Sequence, residues 1–364
     1  TSRHDPHRLA EGVRGVIGPE AALMGGYAVG IITNEELAYD GYQVGIALFA
    51  ENLGSFELFK VDNLPNREQA CGKMLGEQIT QRLAQPVGNN LMLFYDSVDR
   101  TTEQLRLNMA EPLLKGLAET LDAAALEGLV GAGLVGDMSG RETWQWFGDQ
   151  VNQNTAMALL LGGGLRTHSL VFHGCRPASD YLTVTRAEDS TVLELDHRPA
   201  LEVISELLGK ENDVPWKEYS FFVTLGVNLG EKYAPFKEEN YQNRLCLRTD
   251  IKRKGMVMFE PDLVAGTEVQ LMRRSIDFSY IQERVDRLFD SLPEGREPLL
   301  ALYIDCAGRA GAYCGMDEEE AAVVIEAINN RVPLLGLYSG VEIGPVGGKS
   351  RSLDWTGVLT LISR

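Results

Sequence analysis

The chain of 364 residues carries 34 Lys and Arg against 52 Asp and Glu, which gives a net charge of -18. This excess of acid argues against binding to nucleic acid or to an anionic membrane, because both need clustered Lys and Arg. No apolar run approaches the roughly 18 residues of a membrane span, so we expect no membrane insertion. A chain of this length can bury a large core and is expected to form two domains.

The five cysteines show neither the spacing of a disulfide framework nor that of a structural zinc site. An odd number of cysteines without a CxxC pair is usual in a reducing compartment. We therefore predict a cytoplasmic protein with no bound metal.

Three stretches of the chain repeat one order of elements: helix, strand, glycine turn and strand. The middle copy opens with an apolar strand over 90–96, and its second strand covers 129–137. The last copy opens over 299–305, and 333–345 forms its second strand and glycine turn. Such a unit cannot bury its apolar faces alone, so the copies should share sheets. The long connections suit crossover helices, which predicts mixed, partly parallel sheets of the α/β (α+β) class.

The first copy starts one element later than the other two. An apolar stripe over 6–17 predicts its helix, 21–30 its strand and glycine turn, and 43–50 its last strand. Because the other copies each open with an apolar strand, we expect one further strand to precede Thr1 in the full protein. The rival hypothesis, a cleaved enzyme with Thr1 as an N-terminal nucleophile, has no other support in the sequence.

A break near residue 210 divides the chain. Gly209, Asp213 and Pro215 are typical of a linker. We therefore predict a first domain over 1–210 and a second over 211–364. Short runs beyond the linker alternate as half-buried antiparallel strands do.

With these features the chain resembles the FIST family, a group of bacterial and eukaryotic sensory modules with an N-type and a C-type domain. The residues that carry the resemblance are Gly131 to Asp137, Gly174-Cys175-Arg176-Pro177, Cys306 with Gly308 and Arg309, and Gly340 to Pro345. The resemblance implies a non-enzymatic signal-transduction sensor of a small ligand, such as an amino acid. The chain has no kinase, cyclase or receiver signature, so a partner such as a histidine kinase or cyclase would read its state. Some family members bind haem and sense nitric oxide, which is a second hypothesis.

The main candidates for ligand binding lie in the last copy. Cys306 and Arg309 follow the carboxyl end of a predicted strand, where open α/β sheets place their ligand crevices. Arg309 can hold a carboxylate, or it can form a salt bridge to a neighbour such as Glu342. Glu342 can bind an amino group or cap backbone NH groups of the turn at Gly340. Tyr338 is expected either to line the pocket or to pack in the core.

Further candidates lie upstream of the last copy. Asp137 occupies the comparable place in the middle copy, and Cys175 and Arg176 precede a proline in a rigid loop. Arg176 is the better ligand candidate of these two. A haem would need an axial ligand such as histidine, and His173 or His168 would supply it.

An enzyme is the alternative from a different class. A hydrolase at the same crevice would use Cys306 or a strand-end acid. It lacks a convincing base, because no histidine lies between His197 and the C-terminus. We therefore expect neither enzyme activity nor a permanently bound cofactor.

Overall fold

The structure is a computed structural model of the whole chain. It describes residues 1–39, 41–82, 90–99, 101, 106–139, 141–209, 223–275, 277–314 and 318–364. The predicted linker near residue 210 falls in a stretch outside these ranges, so the predicted domain boundary stays a prediction.

The α-helices of the described residues are short. Their bounds are α1 Pro6–Ile17, α2 Glu68–Arg82, α3 Ala110–Leu117, α4 Ala123–Glu127, α5 Ala200–Leu207, α6 Tyr280–Asp290, α7 Gly311–Cys314 and α8 Glu320–Ile328. Local sequence explains where two of them begin. Asp5 accepts hydrogen bonds from the amides of His7 and Arg8 at the start of α1, and Asp122 accepts one from the amide of Ala125 in α4. Within the described ranges, none of the helices has the length and apolar character to cross a membrane.

The strands are numbered along the chain. The first group is β1 Met24–Gly26, β2 Ile31–Thr33, β3 Leu37–Ala38, β4 Ser55–Val61, β5 Leu91–Asp96, β6 Val98–Asp99, β7 Arg106–Leu107, β8 Val130–Leu134, β9 Gln145–Phe147, β10 Gln150–Asn152, β11 Ala156–Gly162 and β12 Arg166–Phe172. The second group is β13 Cys175–Pro177, β14 Leu182–Glu188, β15 Thr191–Leu195, β16 Arg198–Pro199, β17 Thr224–Asn228, β18 Tyr241–Asp250, β19 Gly255–Met258, β20 Glu268–Arg274, β21 Pro298–Cys306, β22 Leu334–Ser339, β23 Val341–Val346, β24 Lys349–Leu353 and β25 Gly357–Ser363.

These elements form two compact units that are discontinuous in sequence. The first contains Thr1–Val171, Phe278–Ser352 and Gly357–Arg364, and the second contains Phe172–Asp277 and Leu353–Thr356. The predicted α/β class with mixed sheets is confirmed.

Two six-stranded sheets form most of the first unit. Their strand orders are β24-β23-β8-β5-β11-β4 and β12-β25-β21-β22-β2-β3. In the first sheet β5 is parallel to β8 and antiparallel to β11. In the second sheet β21 is parallel to β22 and antiparallel to β25. Helices α3 and α4 connect the first parallel pair and α7 and α8 the second, as crossover connections require.

The two large sheets exchange strands. The hairpin β2–β3 pairs with β22, and β23 pairs with β8, so each sheet contains strands from a distant part of the chain. A smaller third sheet has the order β1-β9-β10. Strands β6 and β7 form a separate pair.

The first sheet packs against helices α2, α3 and α4. Leu75, Leu93, Leu113 and Ile343 belong to one buried apolar cluster. Close approach in this core depends on glycine, since a Cβ on Gly131 would lie 1.8 Å from the carbonyl oxygen of Leu93. Burial of such a cluster is the main source of stability for the unit.

The second unit is a β-barrel. Strands β20, β14, β15, β19, β18 and β17 pair in this order, and β17 pairs with β20 to close the ring. Arg244 on β18 is fully buried, and its guanidinium donates to Asp262. Asp354 accepts the Leu245 amide at 2.9 Å, and burial, opposed by Arg244, raises the pKa of Asp354 to about 6. Buried charges of this kind fix the position of the chain because they must be paired.

Two predictions for the first copy are corrected by the structure. Residues 43–50 form no strand within the described chain, and only Met24–Gly26 of the predicted strand over 21–30 pairs in a sheet. The sequence of 43–50 suits a strand, but a strand needs a neighbouring backbone, and none of the described residues supplies one here.

Candidate functional site

The candidate residues of the last copy lie at one edge of the second sheet. Strand β21 ends at Cys306, a 3₁₀ turn covers Ala307–Arg309, and α7 begins at Gly311. Strand β22 runs parallel to β21 and ends at Ser339, opposite Cys306. In open α/β sheets the carboxyl ends of parallel strands form the ligand crevice.

Arg309 is fully buried, and its guanidinium contacts two carboxylates. Nε lies 2.8 Å from Asp305 Oδ1, and Nη2 lies 2.6 Å from Glu320 Oε1. Burial acts to lower the pKa of Arg309, but Asp305 and Glu320 hold it well above its usual value. Arg309 therefore forms a salt bridge, although its partners are not the Glu342 named in the sequence analysis. A ligand carboxylate would have to compete with both of them.

Three tyrosines and one glutamate form what we call the tyrosine–glutamate cluster: Tyr39, Tyr313, Tyr338 and Glu319. The ring of Tyr39 lies 5.8 Å from that of the fully buried Tyr338 and 6.5 Å from that of Tyr313. Tyr39 Oη donates to Glu319 Oε2 at 3.2 Å, and burial raises the pKa of Glu319. Within the described residues, Tyr338 Oη and Glu319 Oε1 are buried without a hydrogen-bond partner. Since buried polar atoms are normally bonded, these two atoms can accept or donate to a guest.

Glu342 lies on β23 and is fully buried. Its Oε1 accepts a hydrogen bond from Ser339 Oγ at 2.7 Å. The neighbouring Cys306 is also buried, and burial, with a smaller contribution from Glu342, raises the pKa of its thiol well above the usual value. A thiol held in its protonated form is a poor nucleophile.

Gly340 connects the second sheet to the first. Its N–H donates to the carbonyl oxygen of Gly133 on β8 at 2.9 Å. A Cβ at this position would lie 3.0 Å from Ser97 Oγ and 3.3 Å from Val135. The turn between β22 and β23 therefore passes close to the carboxyl end of β8.

Asp137 organises its own turn. Its Oδ1 accepts hydrogen bonds from the backbone amide and hydroxyl of Ser139 and from the amide of Arg141. Its other oxygen lies 3.5 Å from the Arg141 guanidinium. These contacts are those of a turn-capping aspartate.

The upstream candidates in the second unit have different environments. Cys175 is buried, whereas Arg176 is exposed and its guanidinium lies 5.2 Å from the centre of the Phe236 ring. His173 is 1% exposed, and its Nδ1 accepts the amide of Cys175 at 2.9 Å. Glu238 accepts the backbone amides of His173 and Gly174.

The surroundings of the two histidines do not fit a haem. His173 has almost no exposed surface, and one of its ring nitrogens already accepts a backbone amide. His168, in the first unit, is half-buried with Nε2 3.1 Å from Ser363 Oγ, and burial lowers its pKa. An axial ligand needs a free ring nitrogen facing room for the macrocycle. No group of three His, Cys, Asp or Glu side chains in the described ranges has the arrangement of a metal site.

Two surface depressions have linings that contain no residue of the tyrosine–glutamate cluster. A groove of about 770 Å³ runs along β4 and the end of α2, and one of about 210 Å³ lies on the second unit around Leu193 and Arg253. The described residues that line these two depressions include no buried polar atom without a hydrogen-bond partner. Because a ligand site needs polar groups that are ready to bind, we favour the tyrosine–glutamate cluster over the groove along β4 as the candidate ligand site.

Sequence reasoning did not find Tyr39, Tyr313, Glu319 or Asp96. Asp96 is the last residue of β5, and Asp305 is the last but one of β21. Burial raises the pKa of Asp96 to about 7. Its two oxygens accept the amides of Val98 and Asn154 at 3.0 and 2.8 Å. The shared ending, an apolar strand followed by aspartate, was the signal available in the sequence.

A mixed α/β unit with exchanged strands, together with a β-barrel, is the architecture in which this site lies. The FIST N domain model matches residues 1–198 and the FIST C domain model matches residues 200–345. The chain therefore belongs to the FIST family, whose domains are generally sensory signal-transduction domains rather than catalytic ones. The resemblance seen in the sequence is confirmed.

Curated relatives extend this family assignment without adding an activity. An uncharacterized protein of Mycobacterium tuberculosis is 26% identical over 273 residues, which cover 72% of this chain and 69% of the relative. An uncharacterized protein of Mycobacterium bovis is 26% identical over 200 residues, or 54% of this chain and 51% of the relative. One from Methanocaldococcus jannaschii is 24% identical over 188 residues, or 50% of this chain and 35% of the relative.

Proposed function

We propose that the protein is a cytoplasmic bacterial sensor that binds a small metabolite with an amino group, such as an amino acid, at the tyrosine–glutamate cluster. The observation that carries the proposal is that two buried atoms near the carboxyl end of β22, Tyr338 Oη and Glu319 Oε1, have no hydrogen-bond partner among the described residues. Membership of a sensory family supports the functional class.

The chemistry of the cluster suits an ammonium group. A carboxylate forms a charge-assisted hydrogen bond with ammonium, and the faces of neighbouring tyrosine rings attract a cation. Glu319 would make the first contact, and Tyr39 and Tyr313 would supply the ring surfaces. Arg309 is fully buried and paired with Asp305 and Glu320, so a ligand carboxylate would reach its guanidinium only by competing with these two acids.

The position of Tyr338 offers a route for a signal. Its strand continues through Gly340 into β23, which pairs with β8 of the other sheet. A ligand that binds one arrangement of this turn more tightly than another would shift the balance between them. A histidine kinase or cyclase that contacts the protein would then sense the change.

The proposal contains no catalytic step and no step through haem. The raised pKa of Cys306 disfavours a thiolate nucleophile. The hydrolase and haem hypotheses of the sequence analysis therefore gain no support from these side chains.

Binding can be tested by native mass spectrometry followed by thermal-shift screening against an amino-acid panel. We expect a bound mass or a stabilised melting transition, and Glu319→Gln should weaken binding at least about tenfold. Tyr233→Phe, a change at an exposed tyrosine of the second unit, is the matched control and should bind as the wild type does. Unchanged affinity in Glu319→Gln would move the ligand to another site, and a haem mass would overturn the proposal.

A further inference from the structure

The two large sheets of the first unit share one pairing scheme. One contains β11, β5, β8 and β23 in this order, and the other contains β25, β21, β22 and β2. In each, the second strand is parallel to the third and antiparallel to the first. The fourth strand begins a hairpin that comes from another part of the chain.

The third sheet matches the last part of this scheme. Hairpin β9–β10 comes after β8 in the chain, just as hairpin β23–β24 comes after β22. Strand β9 of this hairpin pairs with β1. Strand β1 therefore corresponds to β8 and β22. Residues 42–50 come after hairpin β2–β3, as β11 and β25 come after theirs. Among the described residues, the third sheet has no counterpart of β5 and β21.

Residues 42–50 have the surface of an unpaired strand. Alternate side chains are exposed, namely Tyr42, Val44, Ile46 and Leu48, of which Leu48 is 75% exposed. Within the described chain, the backbone amides of residues 44–49 have no hydrogen-bond partner. A free edge with alternating apolar side chains is suited to accept another strand.

Helix α1 gives independent evidence that the third sheet lacks a counterpart of β5 and β21. Its apolar stripe is only partly covered, since the described structure buries none of its residues fully and Val16 is 87% exposed. The corresponding helices differ, because α3 buries Leu113 and Leu117 and α8 buries Val324 and Ile328. An amphipathic helix normally packs its apolar side on a sheet.

We propose that a further β-strand lies between β1 and residues 42–50, and that the occupant is the stretch of the same polypeptide that leads into Thr1. The Thr1 amino group already lies 3.3 Å from the carbonyl oxygen of Gln43, and its hydroxyl donates to the carbonyl oxygen of Gly41. Continued from this contact, the strand runs antiparallel to 42–50 and parallel to β1. Its chemistry is that of Leu91–Asp96, a run of about five apolar residues that ends in an acid.

The test compares three proteins by hydrogen exchange. One is the chain from Thr1, the second carries the sequence NLMLFYDS of residues 90–97 joined to Thr1, and the third carries the same graft with two prolines in the strand. Proline cannot donate to a ladder, so the third protein is the matched control. We expect the backbone amides of 44–49 to exchange at least about tenfold more slowly in the second protein than in the first or the third.

Two results would overturn the proposal. Equal exchange of these amides in all three proteins would show that the gap does not accept a strand from this side. Protection in the ungrafted chain that is lost on dilution would identify a second copy as the occupant, by edge-to-edge pairing. A lower melting temperature of the proline graft than of the intact graft is the expected companion result.

Discussion

Replacing Arg309 by methionine should strongly destabilise the first unit. The change leaves Asp305 and Glu320, both fully buried, without the guanidinium that neutralises them. At an effective dielectric constant of about 20, each charge pair at a separation of about 4 Å is worth about 4 kcal/mol of attraction. Loss of one partner from a buried ion pair typically costs about 3–5 kcal/mol, because the remaining charge stays desolvated.

The loss should depend on pH with a definite sign. Without this guanidinium the folded variant keeps two carboxyl groups buried, and burial disfavours the charged form of a carboxyl group. The variant is therefore penalised at neutral pH, and the penalty disappears as the pH falls below about 4, where both states are protonated. Urea unfolding followed by circular dichroism at pH 5 and pH 8 measures the difference. Arg198→Met, which breaks the exposed pair with Glu206, is the matched control and should unfold like the wild type.

A methionine variant as stable as the wild type at both pH values would refute this account of Arg309. If that variant also lost affinity for the ligand, Arg309 would be a binding residue that stability does not require. The sequence left these two roles open, and this measurement separates them.

Three further predictions follow from the first unit. Asp96→Asn should make the free energy of unfolding depend less on pH, because the wild type loses stability as the pH rises from about 4 through the folded pKa of Asp96, about 7. Urea titrations that give the variant and the wild type the same pH dependence would contradict this. Gly131→Ala should lower the free energy of unfolding by more than about 3 kcal/mol, since the new Cβ would meet the Leu93 carbonyl. Gly12→Ala, in open space on α1, should be neutral or stabilising, and thermal melts of both variants measure the difference. Residues 1–198 expressed alone should exchange the amides of β8 faster than the whole chain does, because β8 loses its pairing with β23; equal protection would speak against the strand exchange.

The strands that could be predicted from the sequence are those buried on both faces. Residues 90–96 and 299–305 are continuous apolar runs, and such runs form the central strands of parallel pairs. Residues 43–50 have a similar local preference, yet they pair with none of the described residues. The difference lies in the neighbouring backbone, which a local pattern does not contain.

The site was only partly predictable for a related reason. Cys306, Arg309 and Tyr338 could be found because they follow or end strands of the last copy. The partners of Arg309 could not, since the choice among several acids depends on the fold of the turn and of α8. Tyr39 and Glu319 are 280 residues apart in the chain, and their hydrogen bond requires the pairing of β2 with β22.

Strand exchange makes the two family domains depend on each other within the first unit. Strand β23 belongs to the segment matched by the FIST C domain and completes the sheet of β8, which belongs to the segment matched by the FIST N domain. Hairpin β2–β3 does the reverse for β22. Tyr39 follows that hairpin, while Tyr338 and Glu319 come from the other segment. The tyrosine–glutamate cluster therefore exists only where both segments are folded together, and a ligand bound there would stabilise the association of both, because it binds only the paired state.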